Sequence, residues 1–154
     1  KRFFAIPQLF LGLAFSWGII MVSAAELNQI NHISLVLFVS CFFWILAYDT
    51  AYAMSDKEDD IKVGLKSSAL TFGNKVVHFF ISFHLIALGV WSWLGYQLNL
   101  HPLFFLSSLS WTLLIIYQYK LIRDYDRHRC FLAFKNNNWV GFSLFIGSWL
   151  GTSL

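Results

Sequence analysis

Five of the eight acidic residues fall within one run, Asp49-Thr50-Ala51-Tyr52-Ala53-Met54-Ser55-Asp56-Lys57-Glu58-Asp59-Asp60. On a single α-helix, spacings of seven and four residues return a side chain to nearly the same bearing. Asp49, Tyr52, Asp56 and Asp60 are therefore predicted to share one face, with Glu58 opposite and Asp59 well off it. Like charges on one stripe repel unless something positive sits against them. Carboxylate oxygens suit a hard divalent cation. Mg²⁺ fits best, because it commonly takes one or two carboxylates and fills its remaining positions from phosphate oxygens and water. The plainer alternative is a solvated, charged helix end that marks a boundary.

That boundary is a membrane surface. The chain has 154 residues, of which 58% are hydrophobic and 12% charged. A water-soluble domain carries about 25% charged residues. Five apolar stretches run from Leu9 to Ala25, Ile33 to Tyr48, Val76 to Tyr96, Leu103 to Tyr119, and Trp139 to the C-terminus. Each is close to the roughly 17–25 residues that a helix needs to cross hydrocarbon. None alternates as a barrel strand would. The fold class is thus all-α, a multi-pass transmembrane bundle with five crossings, in contact with membrane lipid. The acidic run begins where the second apolar stretch ends.

Orientation follows from Lys and Arg. All 11 fall before the first stretch (Lys1, Arg2), between the second and third (Lys57, Lys62, Lys66, Lys75), or between the fourth and fifth (Lys120, Arg123, Arg127, Arg129, Lys135). With five crossings these segments lie on one side, predicted to be cytoplasmic. This accounts for the net charge of +3 without a nucleic-acid partner. Cys41 and Cys130 read as plain thiols, and the five His share no metal-ligand spacing. Trp17, Trp91, Trp93 and Trp139 read as interface anchors.

The string D-x-x-Y-A-x-x-D-x-x-D-D, at Asp49, Tyr52, Ala53, Asp56, Asp59 and Asp60, resembles the second aspartate-rich motif of the UbiA prenyltransferases. Ile61-Lys62-Val63-Gly64-Leu65-Lys66-Ser67-Ser68-Ala69-Leu70 is similar to what trails that motif in members acting on 4-hydroxybenzoate. Lys1-Arg2 with Ile6-Pro7-Gln8 and Gly12 resembles the stretch leading into the family's fifth helix. Asn136-Asn137-Asn138 before Trp139-Val140-Gly141 resembles the approach to its last.

The resemblance implies a nine-helix domain around a central cavity, with residues 1–154 its C-terminal portion. It also implies Mg²⁺-dependent transfer of a polyprenyl group from a polyprenyl diphosphate to 4-hydroxybenzoate, in a bacterial inner membrane. By that pattern Asp56 and Asp60 hold the metal, with Asp49 and Asp59 as supporting members and Tyr52 beside them. Lys1, Arg2 and Lys62 are the implied substrate contacts. The family's other aspartate motif, N-D-x-x-D-x-x-x-D, is not in this sequence. The chain is accordingly expected to be a piece of something longer, silent in catalysis by itself. Other acceptors of the same superfamily, such as homogentisate or a naphthoate, stay open, as does a non-enzymatic transporter with an acidic cation site.

Overall fold

The structure, a computed structural model, describes residues 6–153, so Lys1 and Arg2 lie outside the described residues. Seven α-helices follow in order: α1 Gln8–Leu27, α2 His32–Ser55, α3 Lys57–Val63, α4 Ser68–Phe72, α5 Val76–Gln97, α6 Phe105–Ile122 and α7 Arg127–Ser153. Short 3₁₀ turns at Gly73–Lys75 and Pro102–Phe104 precede α5 and α6. Among the described residues there is no strand.

Four segments are long and apolar enough to cross a membrane: Gln8–Leu27, His32–Ser55, Ser68–Gln97 and Pro102–Ile122. The sequence predicts a fifth from Trp139. Here the structure differs, because α7 has the length, at 27 residues, but not the apolarity. Asn136, Asn137 and Asn138 are continuous with it, and small polar residues such as Ser143, Ser148 and Thr152 dilute its apolar run. The basic connection read as a loop is also mostly helical, so Cys130 lies fully buried on α7. Trp17 sits mid-helix on α1, 56% exposed, and not at an end.

The bundle packs with small and polar residues inward. On α1 the buried positions are Gln8, Gly12, Ser16, Ile20 and Ser23, one stripe of a helix, while Phe10, Phe15, Met21 and Val22 face out. Lipid tails solvate the large apolar side chains as well as protein does, so close backbone approach and interhelical hydrogen bonds hold such helices together. Gly12 lies against Phe42 of α2, and a Cβ there would meet the ring at 2.9 Å. Between helices, Ser40 Oγ donates to the Ala87 carbonyl at 2.8 Å. Trp44 Nε1 donates to Asn137 Oδ1 at 3.1 Å, and Gln118 Nε2 to Asn136 Oδ1 at 3.0 Å.

α2 is the central helix, packed on α1, α5 and α7. Its C-terminal end is the best anchored part. Ala51, Ala53, Met54, Ala69, Val76, Phe80, Ile122, Cys130 and Ala133 form one buried cluster there, drawn from α2, α4, α5, α6 and α7. The same end carries the segments 57–75 and 120–135. Tyr125 Oη donates to the Asn74 carbonyl at 3.1 Å, and the Ser68 amide donates to Gln8 Oε1 at 3.0 Å. The two described basic segments are thus gathered at one end of the bundle, as the one-sided Lys and Arg pattern predicts.

Candidate functional site

The acidic run does not form one unbroken helix. α2 ends at Ser55, and Asp56 stands at the junction with φ −92° and ψ 0° before α3 begins at Lys57. The hydrogen-bond ladder nevertheless passes through: the Asp56 amide donates to the Tyr52 carbonyl at 3.1 Å and the Asp60 amide to the Asp56 carbonyl at 2.9 Å. The spacing of four is preserved locally while the axis changes. Gly64 then stops α3 in the left-handed region, at φ 68°, which costs glycine nothing. Its amide and that of Leu65 both return to the Asp60 carbonyl, the latter at 2.9 Å. Asp60 is thereby fixed in the last turn of a short helix, 4% exposed.

The predicted facing holds in part. Asp60 is buried, Asp49 and Asp56 are half-buried, and Glu58 is exposed. The Tyr52 hydroxyl lies beside the Asp56 carboxylate, with the carboxylates of Asp49 and Asp60 within electrostatic reach of it. Asp59 is turned elsewhere. Its Oδ2 accepts from Arg127 at 2.6 Å and its Oδ1 from Lys62 at 3.4 Å. The Arg127 guanidinium, and secondarily Lys62, holds the Asp59 carboxyl below its ordinary value of 3.8. Lys62 is exposed and engaged with Asp59.

A cleft of about 490 Å³ opens beside the junction, lined by Tyr52, Ser55, Asp56, Asp126, Arg127, His128 and Phe131. Tyr52 and Asp56 were legible as site residues; Arg127, His128 and Phe131 were not. The signal was present in the sequence, since Arg127 belongs to the basic cluster, but charge count cannot tell which arginine faces inward. Arg129 is occupied by Asp124 at 2.8 Å and by the Lys120 carbonyl at 2.7 Å, and Arg123 by Asp124 at 3.5 Å. Of that cluster, Arg127 is the arginine in the cleft wall.

Among the described residues, no three His, Cys, Asp or Glu side chains are grouped to hold a metal ion by themselves. A donor set of one or two carboxylates still suits Mg²⁺, which keeps several waters and shares substrate phosphate oxygens. Asp56 in the cleft and Asp60 one turn on are hard oxygen donors of that kind. The arrangement can therefore place a cation between carboxylate and phosphate, beside a phenol and a guanidinium.

The chain matches the description "UbiA prenyltransferase family" over residues 1–148. The 4-hydroxybenzoate octaprenyltransferase of Paraburkholderia phymatum is 43% identical to it over 147 residues, 96% of this chain and 51% of that protein. Those of Nitrosospira multiformis and Azoarcus sp. are each 44% identical with the same coverage. The chain spans about half the length of the curated relatives it matches. No solved structure matches it. With 148 of its 154 residues inside that match, the chain belongs to the UbiA prenyltransferase family.

Proposed function

We propose that this chain contributes one wall of the active site of a Mg²⁺-dependent enzyme that transfers a polyprenyl group from a polyprenyl diphosphate to the ring of 4-hydroxybenzoate. The observation that carries the proposal is the Asp56 carboxylate, beside Tyr52, in the wall of a cleft at the basic end of an apolar bundle. Relatives bearing that enzyme name, similar over 96% of this chain, support the choice of substrates. The domain has nine helices and crosses a bacterial inner membrane, with the acidic junction on the cytoplasmic side. The placement of the basic segments at that end supports this orientation.

In the reaction, the bond from the allylic carbon to the diphosphate oxygen breaks. A new C–C bond forms at the ring carbon ortho to the phenol hydroxyl, and that carbon loses its proton. Bound Mg²⁺ would supply Lewis-acid neutralisation of the departing diphosphate. Asp56 and Asp60 would hold the cation, with Asp49 supporting the site, while Asp59, turned to Arg127 and Lys62, stands outside the metal set. Tyr52, beside Asp56 in the cleft wall, would present its hydroxyl to that carboxylate or to the substrate. Phe131 and the aromatic side chains packed at a tilt against it, Phe134 and Tyr52, would form an apolar margin that helps keep water from the reacting carbon. Lys1, Arg2 and Lys62 stand as further substrate contacts in this reading.

The test is a transfer assay on the intact enzyme, with 4-hydroxybenzoate and a polyprenyl diphosphate. Asp56→Asn and Asp60→Asn should each lower turnover by at least about a hundredfold at near-normal expression. Glu58→Gln, on the exposed side of α3, should stay within about threefold of wild type. Activity close to wild type in both Asp variants would refute the assignment.

A further inference from the structure

Arg127 stands at the meeting of two environments. Its guanidinium is bound to Asp59 on α3 at 2.6 Å, and the same residue lines the cleft that holds Asp56 and Tyr52. We infer that Arg127 is a diphosphate-binding residue of the site, parked on Asp59 when the cleft is empty and exchanging from Asp59 to the substrate's phosphate oxygens when it fills. This rests on the prenyl-diphosphate reading above and adds to it a named anion contact and its resting partner.

The chemistry of the cleft selects this residue. Asp56 and Asp126 are acidic, so a multiply charged diphosphate needs cations both between it and Asp56 and on the opposite side. Asp126 is engaged in capping α7, where its Oδ1 accepts the Arg129 amide at 2.8 Å. Arg123 and Arg129, both paired with Asp124, do not line this cleft. That leaves Arg127, with His128 beside it, as the basic part of the lining. A guanidinium presents its donors as a planar fork that matches phosphate oxygens two at a time.

The resting pair is suited to exchange. The side chains of Arg127 and Asp59 are 56% and 47% exposed, and pairs so open to water hold weakly. Asp59 also keeps Lys62 at 3.4 Å, so its charge stays partly compensated after Arg127 leaves. Because Asp59 lies on α3, which also carries Asp60, the exchange would be felt at the second candidate metal carboxylate.

The experiment measures equilibrium binding of geranyl diphosphate to the intact protein in detergent, with Mg²⁺ present and no aromatic acceptor. Arg127→Gln should weaken binding by about tenfold. Arg127→Lys, which keeps the charge and loses the fork, should recover part of that loss and guards against a folding defect. Asp59→Asn frees Arg127 and should tighten binding by about two- to fivefold. Wild-type binding that survives Arg127→Gln within about twofold would overturn the inference alone, as would Asp59→Asn binding no tighter than wild type. Failure of the wild-type protein to bind geranyl diphosphate would sink the prenyl-diphosphate reading, and this inference with it.

Discussion

Trp111 on α6 donates its indole N–H to Nδ1 of His84 on α5 at 3.1 Å, and both side chains are completely buried. Accepting at Nδ1 leaves the imidazole proton on Nε2, so the ring is read as that neutral tautomer. His84→Leu should strand the indole N–H in an apolar core and cost about 1–3 kcal/mol. Thermal unfolding in detergent checks this. The double variant His84→Leu/Trp111→Phe should regain part of the loss, since neither partner is then left without the other. Additive losses in the double variant would show that the pair is not coupled.

Close helix contact makes a second prediction. A Cβ at Gly147 on α7 would stand 2.5 Å from Ser107 Cβ and 3.1 Å from the Phe104 carbonyl, whereas at Gly18 on α1 it would meet nothing within 4 Å. Gly147→Ala should destabilise by about 1–3 kcal/mol, with α6 and α7 forced apart. Gly18→Ala should be neutral or slightly stabilising. Equal melting temperatures for the two variants would contradict the packing described for α6 and α7.

Topology can be read by cysteine labelling in sealed vesicles. Reporters at Lys66 and Arg123 should react from the same, cytoplasmic side, and reporters at Ile30 and Gln97 from the other. Labelling of Lys66 and Gln97 from one side would sink this arrangement.

Acid should loosen α3. The Asp59 carboxyl is held below its ordinary value of 3.8 by Arg127 and Lys62. A depressed carboxyl contributes fully to the fold above 3.8, and its contribution is lost as pH falls below that value through the folded-state one. Spin labels at Glu58→Cys and Arg123→Cys should keep a narrow distance distribution at neutral pH and broaden in this acid window. With Asp59→Asn added, the distribution should be modestly broader than wild type at neutral pH and no longer respond to acid. A distribution as narrow as wild type in that variant at neutral pH would show that other contacts fix α3.

Much of the architecture was legible because lipid leaves hydropathy few alternatives. The runs beginning at Leu9, Ile33, Val76 and Leu103 correspond to α1, α2, α5 and α6, within a few positions at most ends. The helical end of α2 was legible from the spacing of its acidic residues, but the start of α7 was not. Residues 127–138, ahead of the apolar run, are polar yet helical, because backbone hydrogen bonds and neighbouring helices carry a helix past the hydrocarbon edge. The break at Asp56 had no signature, since neither Gly nor Pro stands there, and the ladder from Tyr52 to Asp60 is kept across it. Tyr52 and Asp56 could be found by spacing along one segment. Arg127 could not, because its place beside them depends on the packing of α7 against α2, which charge count does not encode.

The inward Gly12, Ser16 and Ser23 and the outward Phe10, Phe15 and Met21 of α1 carry a consequence for how this sequence can drift. In a water-soluble protein, large apolar residues are the guarded positions and small surface ones vary freely. Along α1 the constraint runs the other way. Phe15, two-thirds exposed, can become Leu, Ile or Val at little cost to packing, while Ser16→Leu would wedge α1 off α2. Variation among natural forms of this helix should therefore be widest at its bulkiest side chains and narrowest at its smallest.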